Sequence, residues 1–144
     1  MSNIYILSNL VGGEWHYLPS DGQPGLNMVH TFSWQVPDAL LVSKSASSGG
    51  DSFGYWYWHP GEQKVKMIAL GKALDGVSLA EYTEVTRQGD LLTCHLLTHD
   101  NSGTKRYREE WRFTDDDHYE WTLYALSASG EQQAMQASFE RRTE

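Results

Sequence analysis

Short clusters of Gly, Pro, Asp, Asn and Ser break the chain at near-even intervals: Pro19–Gly22, Val36–Asp38, Ser47–Asp51, Pro60–Glu62, Asp75-Gly76, Gln88–Asp90, Asp100–Gly103, Thr114–Asp117 and Ser129-Gly130. These are the residues that turns demand, with Gly, Asn or Asp for left-handed backbone and Pro for a fixed φ. The runs left between them, 14–18, 27–35, 39–46, 53–59, 64–70, 77–86, 91–98, 105–113, 118–126 and 132–140, have strand length and predict about ten β-strands. Loops this short force antiparallel neighbours, since a parallel pair needs a crossover of about a dozen residues or more. A meander of that size keeps two sticky edges unless it closes, and no second amphipathic helix is available to cover an open sheet. The expected fold is all-β, an antiparallel up-and-down barrel in which residues 1–144 form one domain. A short helix is expected over residues 4–10, where Ile6, Leu7 and Leu10 fall at helical spacing behind the candidate caps Ser2 and Asn3.

Several strands alternate cleanly. Met28, His30, Phe32 and Trp34 share one face, as do Tyr107, Glu109, Trp111 and Phe113, and as do Tyr119, Trp121, Leu123 and Ala125. Arg106, Arg108, Glu110 and Arg112 form the opposite face of the second set, so its rings point inward. In Phe53–Leu70, by contrast, both faces of the first limb carry rings: Phe53, Tyr55, Tyr57 and His59 on one, Trp56 and Trp58 on the other. Such a strand needs cover on both sides, or one side is a binding surface. An outward face bearing Trp56 and Trp58 would suit a homodimer.

Six Trp, eight Tyr and four Phe exceed what a solid core of this size needs, which suggests a ring-lined cavity. A net charge of −8 repels phosphate backbones and anionic bilayers on average, so neither nucleic acid nor membrane is an expected partner. The single cysteine, Cys94, lies in an apolar run and is read as an inert core residue. Without a second cysteine no intrachain disulfide forms, and no leader or long apolar segment is legible, so the expected location is cytoplasmic.

Leu10–Trp15, followed by the meander, resembles the opening of the calycins, the lipocalin, fatty-acid-binding and nitrobindin-like barrels whose first strand carries a glycine, a spacer and a tryptophan. Gly13, Glu14 and Trp15 stand at those positions. The run Gly54–Pro60, then Val65, Gly71 and the closing Arg141-Arg142, is similar to small bacterial lipocalin-like domains. The resemblance implies that Trp15 closes the narrow end of the barrel and that Arg141 or Arg142 stacks over it, a guanidinium capping an indole face. It also implies two ligand sets that this chain departs from. Nitrobindin-like members hold haem through a histidine near the C-terminus, but no histidine follows His118 and the last strand offers only Met135 as a soft ligand. Fatty-acid-binding members use an Arg-x-Tyr clamp in the last strand, which 137–141 lacks. No cofactor is expected.

His95 and His99 have the spacing of a helical zinc pair, but on a strand they stand about 13 Å apart at about 3.3 Å per residue, too far to share a metal. No metal site is expected. Glu109 is the sharper feature: a carboxylate on an apolar face must be paired, protonated or open to a cavity, unless a bulge after Arg108 turns it outward. His30 is either a bonded core histidine or a cavity group.

The composition and pattern favour a binding protein for a small apolar or amphipathic molecule. His30, Tyr57, Tyr107 and Glu109 would be its polar contacts, and Trp34, Trp111 and Trp121 its ring surface. The alternative is an isomerase, cyclase or hydrolase of the same shape that uses Glu109 or His30 as acid or base. Haem binding is the third reading.

Overall fold

The computed structural model describes residues 3–19, 27–73 and 76–143. Expected turn residues 20–22 and Asp75, and the candidate cap Ser2, lie outside them. A 3-10 helix (Ile4–Leu10) leads into ten strands: β1 (Glu14–Leu18), β2 (Val29–Val36), β3 (Leu40–Ser47), β4 (Gly50–His59), β5 (Lys64–Ala73), β6 (Gly76–Gln88), β7 (Leu91–Asp100), β8 (Gly103–Asp115), β9 (His118–Ser127) and β10 (Gly130–Arg142). Each strand pairs antiparallel with its neighbour in sequence, and β1 pairs with β10 to close the barrel. No helix among the described residues is long and apolar enough to cross a membrane.

The helix differs in kind from the expected one. With three residues per turn, it is Ile4, Leu7 and Leu10 that line up on one face, and all three are fully buried, while Ile6 is only partly so. Asn3 stands at the N-cap without a side-chain cap bond. The helix plugs the end of the barrel where β1 begins. Trp15 Nε1 donates to Leu10 O at 3.0 Å, which satisfies a carbonyl that the helix end leaves open. Arg87 on β6 donates to Ile6 O at 3.1 Å and to Asn9 Oδ1, and its guanidinium lies 4.8 Å from the centre of the Phe113 ring. Gly12 and Gly13 take φ of 97° and 67° to swing the chain from helix to strand. A Cβ on Gly13 would come within 2.9 Å of Arg142 O, so this turn needs glycine twice over.

Of the two arginines offered by the resemblance, Arg141 lies over Trp15, its guanidinium 4.5 Å from the ring centre. It also donates to Val11 O at 3.0 Å and to Asp117 Oδ1 at 3.1 Å, which ties β10 to the helix exit and to the β8–β9 turn. Trp15 itself is fully buried, with Tyr119 tilted against it at 4.9 Å and Phe113 edge-on at 6.4 Å.

Bulges decide which side chains face in. Between the pairs Met67↔Tyr82 and Val65↔Val85, β6 spans one residue more than β5, so Tyr82 and Val85 both reach the interior although they are three apart. On β4 the alternation resolves in favour of the tryptophans. Trp56 is fully buried and its Nε1 donates to Ser43 Oγ at 2.9 Å, whereas Phe53 and Tyr55 are exposed beside Ile68 and Leu70 of β5. The expectation of an outward Trp56/Trp58 face for a homodimer is therefore corrected: Trp56 lies inside and Trp58 packs on the core. Burying the larger indoles, one of them with a hydroxyl partner, removes more apolar area than burying the phenols, whose hydroxyls water can serve. Cys94 is fully buried, and burial pushes its thiol pKa well up.

Candidate functional site

The end of the barrel opposite the helix is hollow, and the cause is visible rung by rung. Two inward rows cross β3 to β6: Ser43, Gly54, Ala69 and Ala80, then Ser45, Ser52, Gly71 and Ser78. Every member is small. A Cβ on Gly54 would meet Ser43 Oγ at 2.5 Å and Met67 Sδ at 3.0 Å, so the rows are closely set behind the space they leave. Across from them stand Phe32, Trp111, Trp121 and Phe139, and between the two walls lies a cavity of about 900 Å³. That volume is in the range of sites for small organic ligands.

Glu109 lies on this cavity. The register of β8 with β9 is unbroken from Arg106 to Phe113, so no bulge turns its side chain out. It is almost fully buried and accepts hydrogen bonds from Tyr82 Oη at 2.8 Å and from Trp111 Nε1 at 3.0 Å, with Trp121 as a further donor. Burial raises the Glu109 pKa; the bonds from Trp111, Tyr82 and Trp121 oppose that without cancelling it. Its charge in turn adds to the effect of burial in pushing Tyr82 and Tyr119 well above the usual phenol range. Both phenols keep their protons.

His30 also lines the cavity, stacked on Phe139 at 4.8 Å, with Nδ1 3.4 Å from Tyr119 Oη. Loss of solvation lowers its pKa from 6.5 to about 4, so the ring is neutral near pH 7. Rings continue from there around the wall. Tyr119 stacks between Phe139 at 4.9 Å and Trp111 at 5.2 Å, and Trp56 meets Trp111 edge-on at 6.0 Å and Tyr82 at 5.5 Å.

Of the residues singled out in the sequence, His30, Glu109, Trp111 and Trp121 meet on this one cavity. Three others do not. Tyr57 takes the outward face of β4 with Phe53 and Tyr55, because the inward positions go to Trp56 and Trp58. Trp34 packs against the core toward the plugged end, beyond the space. Tyr107 shares the face of Glu109 but lies beside Leu96 and Leu126 at a separate, smaller recess. Tyr82, Trp56 and the small rows were missed as site residues. The small rows did carry a signal, since Ser43-x-Ser45, Ser52-x-Gly54 and Ala69-x-Gly71 repeat small residues at the strand period. His95 lies outside this cavity, and His99 bonds Thr104 Oγ1 at 2.8 Å. Among the described residues, no three His, Cys, Asp or Glu side chains group as a metal site.

No family model matches the sequence, nor does any curated protein. Among solved structures, the chain is similar to Rv2717c from M. tuberculosis, with a TM-score of 0.55 over 99% of both chains at 14% identity. At that identity the likeness is one of fold.

Proposed function

We propose that this protein is a calycin-like barrel that carries a small, largely apolar molecule in the cavity between the small-residue rows and the Trp111–Trp121 wall. The observation that carries this reading is the cavity itself. Ten strands with this many rings could fill their interior, yet the inward positions of β3 to β6 at one end hold Ser, Gly and Ala. Apolar walls supply the driving force for entry, and a few inward polar groups, His30, Tyr82 and Glu109, orient what enters. The helical plug leaves the opposite end as the route in.

Native mass spectrometry of the purified protein, followed by extraction of the same sample into organic solvent, tests the proposal. A bound small molecule at one per chain, released on extraction, is the expected result. Protein that is empty and also fails to take up added decanol would overturn it.

A further inference from the structure

Glu109 has more to say than that the cavity is partly polar. Tyr82, Trp111 and Trp121 all donate to its carboxyl, and the two indole N–H groups can donate and never accept. This donor set is built around an ionised carboxylate. An ionised carboxylate offers about four acceptor positions, of which three are used, so one remains.

Among the described residues, no counter-ion shares the interior with it. Among the described cavity residues the one basic side chain is Lys44, and its ammonium lies 5.8 Å from the centre of Phe53 on the outer surface. His30, the other group that could carry positive charge, is held neutral. The titratable groups around Glu109 on neighbouring strands, Tyr82 of β6, Cys94 of β7 and Tyr119 of β9, all keep their protons. A buried anion with hydrogen bonds and no cation is a costly state, and a cation entering the cavity relieves it. The surrounding surface suits the same charge, since the rings of Trp56, Tyr82 and Trp111 gather near the carboxylate and their π faces attract cations.

Resting on the reading of the cavity as a ligand site, we propose that it selects organic cations: a protonated amine seated against Glu109 and the tryptophan faces, with an apolar body lying along the small-residue rows. Fatty acids are the excluded class, because a ligand carboxylate would bring a like charge into a space that already holds one.

Three probes of equal chain length separate the outcomes: decylamine, decanol and decanoate, each titrated below its micelle concentration at pH 7 and followed by tryptophan fluorescence. Decylamine should bind about tenfold or more tightly than decanol, and decanoate weakest of the three. In Glu109→Gln the advantage of the amine over the alcohol should vanish. Because the chain is acidic overall, the titrations are repeated at about 0.5 M salt, which screens surface attraction and spares a buried contact. Decanoate binding as well as decylamine, or an amine advantage that is lost in salt or survives in Glu109→Gln, would overturn the selection. Should Glu109→Gln not fold, the ranking in the unmodified protein decides. If decanol binds and the amine does no better, cation selection alone is refuted; if no probe binds, the cavity reading falls with it.

Discussion

Replacing Trp15 with alanine empties a fully buried site at the plugged end of the barrel. The indole sits under Arg141, against Tyr119 and Phe113, and its Nε1 carries the hydrogen bond to Leu10 O. Truncating a large buried aromatic costs about 3–5 kcal/mol. Leaving the Leu10 carbonyl without its donor adds about 1–3 kcal/mol where water cannot replace it. Trp15→Phe divides the two contributions, because it keeps most of the ring packing and removes the N–H, so its expected loss is the smaller part alone. Urea melts of both variants give the stability change from the midpoint at constant m. Trp15 is not among the residues lining the cavity, so decanol affinity per folded molecule should stay within about twofold. A loss below about 1 kcal/mol for Trp15→Ala, the size of an ordinary surface change, would refute the account of the plugged end. So would weakened ligand binding with stability intact.

Two further outcomes follow from the site and the plug. His30 resists protonation in the folded chain, with its pKa lowered from 6.5 to about 4. The stability this represents is present above pH 6.5 and lost as pH falls toward 4, because the unfolded chain takes up the proton first. At about 1.4 kcal/mol per pH unit, reduced for the ring's partial exposure to the cavity, the loss is about 2–3 kcal/mol. It should be missing in His30→Phe when melts at pH 7.5 and pH 4 are compared; equal losses in both proteins would count against it. Arg87→Ala removes the bonds to Ile6 O and Asn9 Oδ1, and should raise amide exchange across Ile4–Leu10 while leaving β7 to β9 protected. Unchanged exchange in the helix would mean that the burial of Ile4, Leu7 and Leu10 holds it without Arg87.

Ten strands, their order and the closed barrel were legible because turn residues and alternation are local, and local order fixes neighbours when loops are short. For Glu109 the alternation left two courses open, inward or turned out by a bulge after Arg108, and the unbroken register of β8 with β9 decides for the first. Faces were harder. Tyr57 and Trp56 are adjacent, each fits either side of β4, and their assignment depends on Ser43 one strand away and on Trp111 across the barrel. Tyr82 was beyond reach for another reason: the bulge beside Thr83 resets the period, and nothing in the sequence marks it. Trp34 and Tyr107 point the right way but sit at the wrong height, a coordinate that strand alternation does not carry.

The join between β1 and β10 has a consequence for how the chain assembles. Every other pair joins strands consecutive in sequence, whereas Glu14↔Arg142 through Leu18↔Ser138 brings together residues separated by most of the chain. Bringing such distant segments together costs chain entropy that only the finished circle repays. Successive hairpins can therefore form from within, and the circle is completed last by the shortest strand, with five rungs on one side and two on the other. Unfolding should begin at this stave, and native-state hydrogen exchange that found β1 among the slowest strands would contradict that order. A barrel that opens along one narrow stave can part its wall without giving up the other hairpins, in the way a cask loses its contents before it loses its shape.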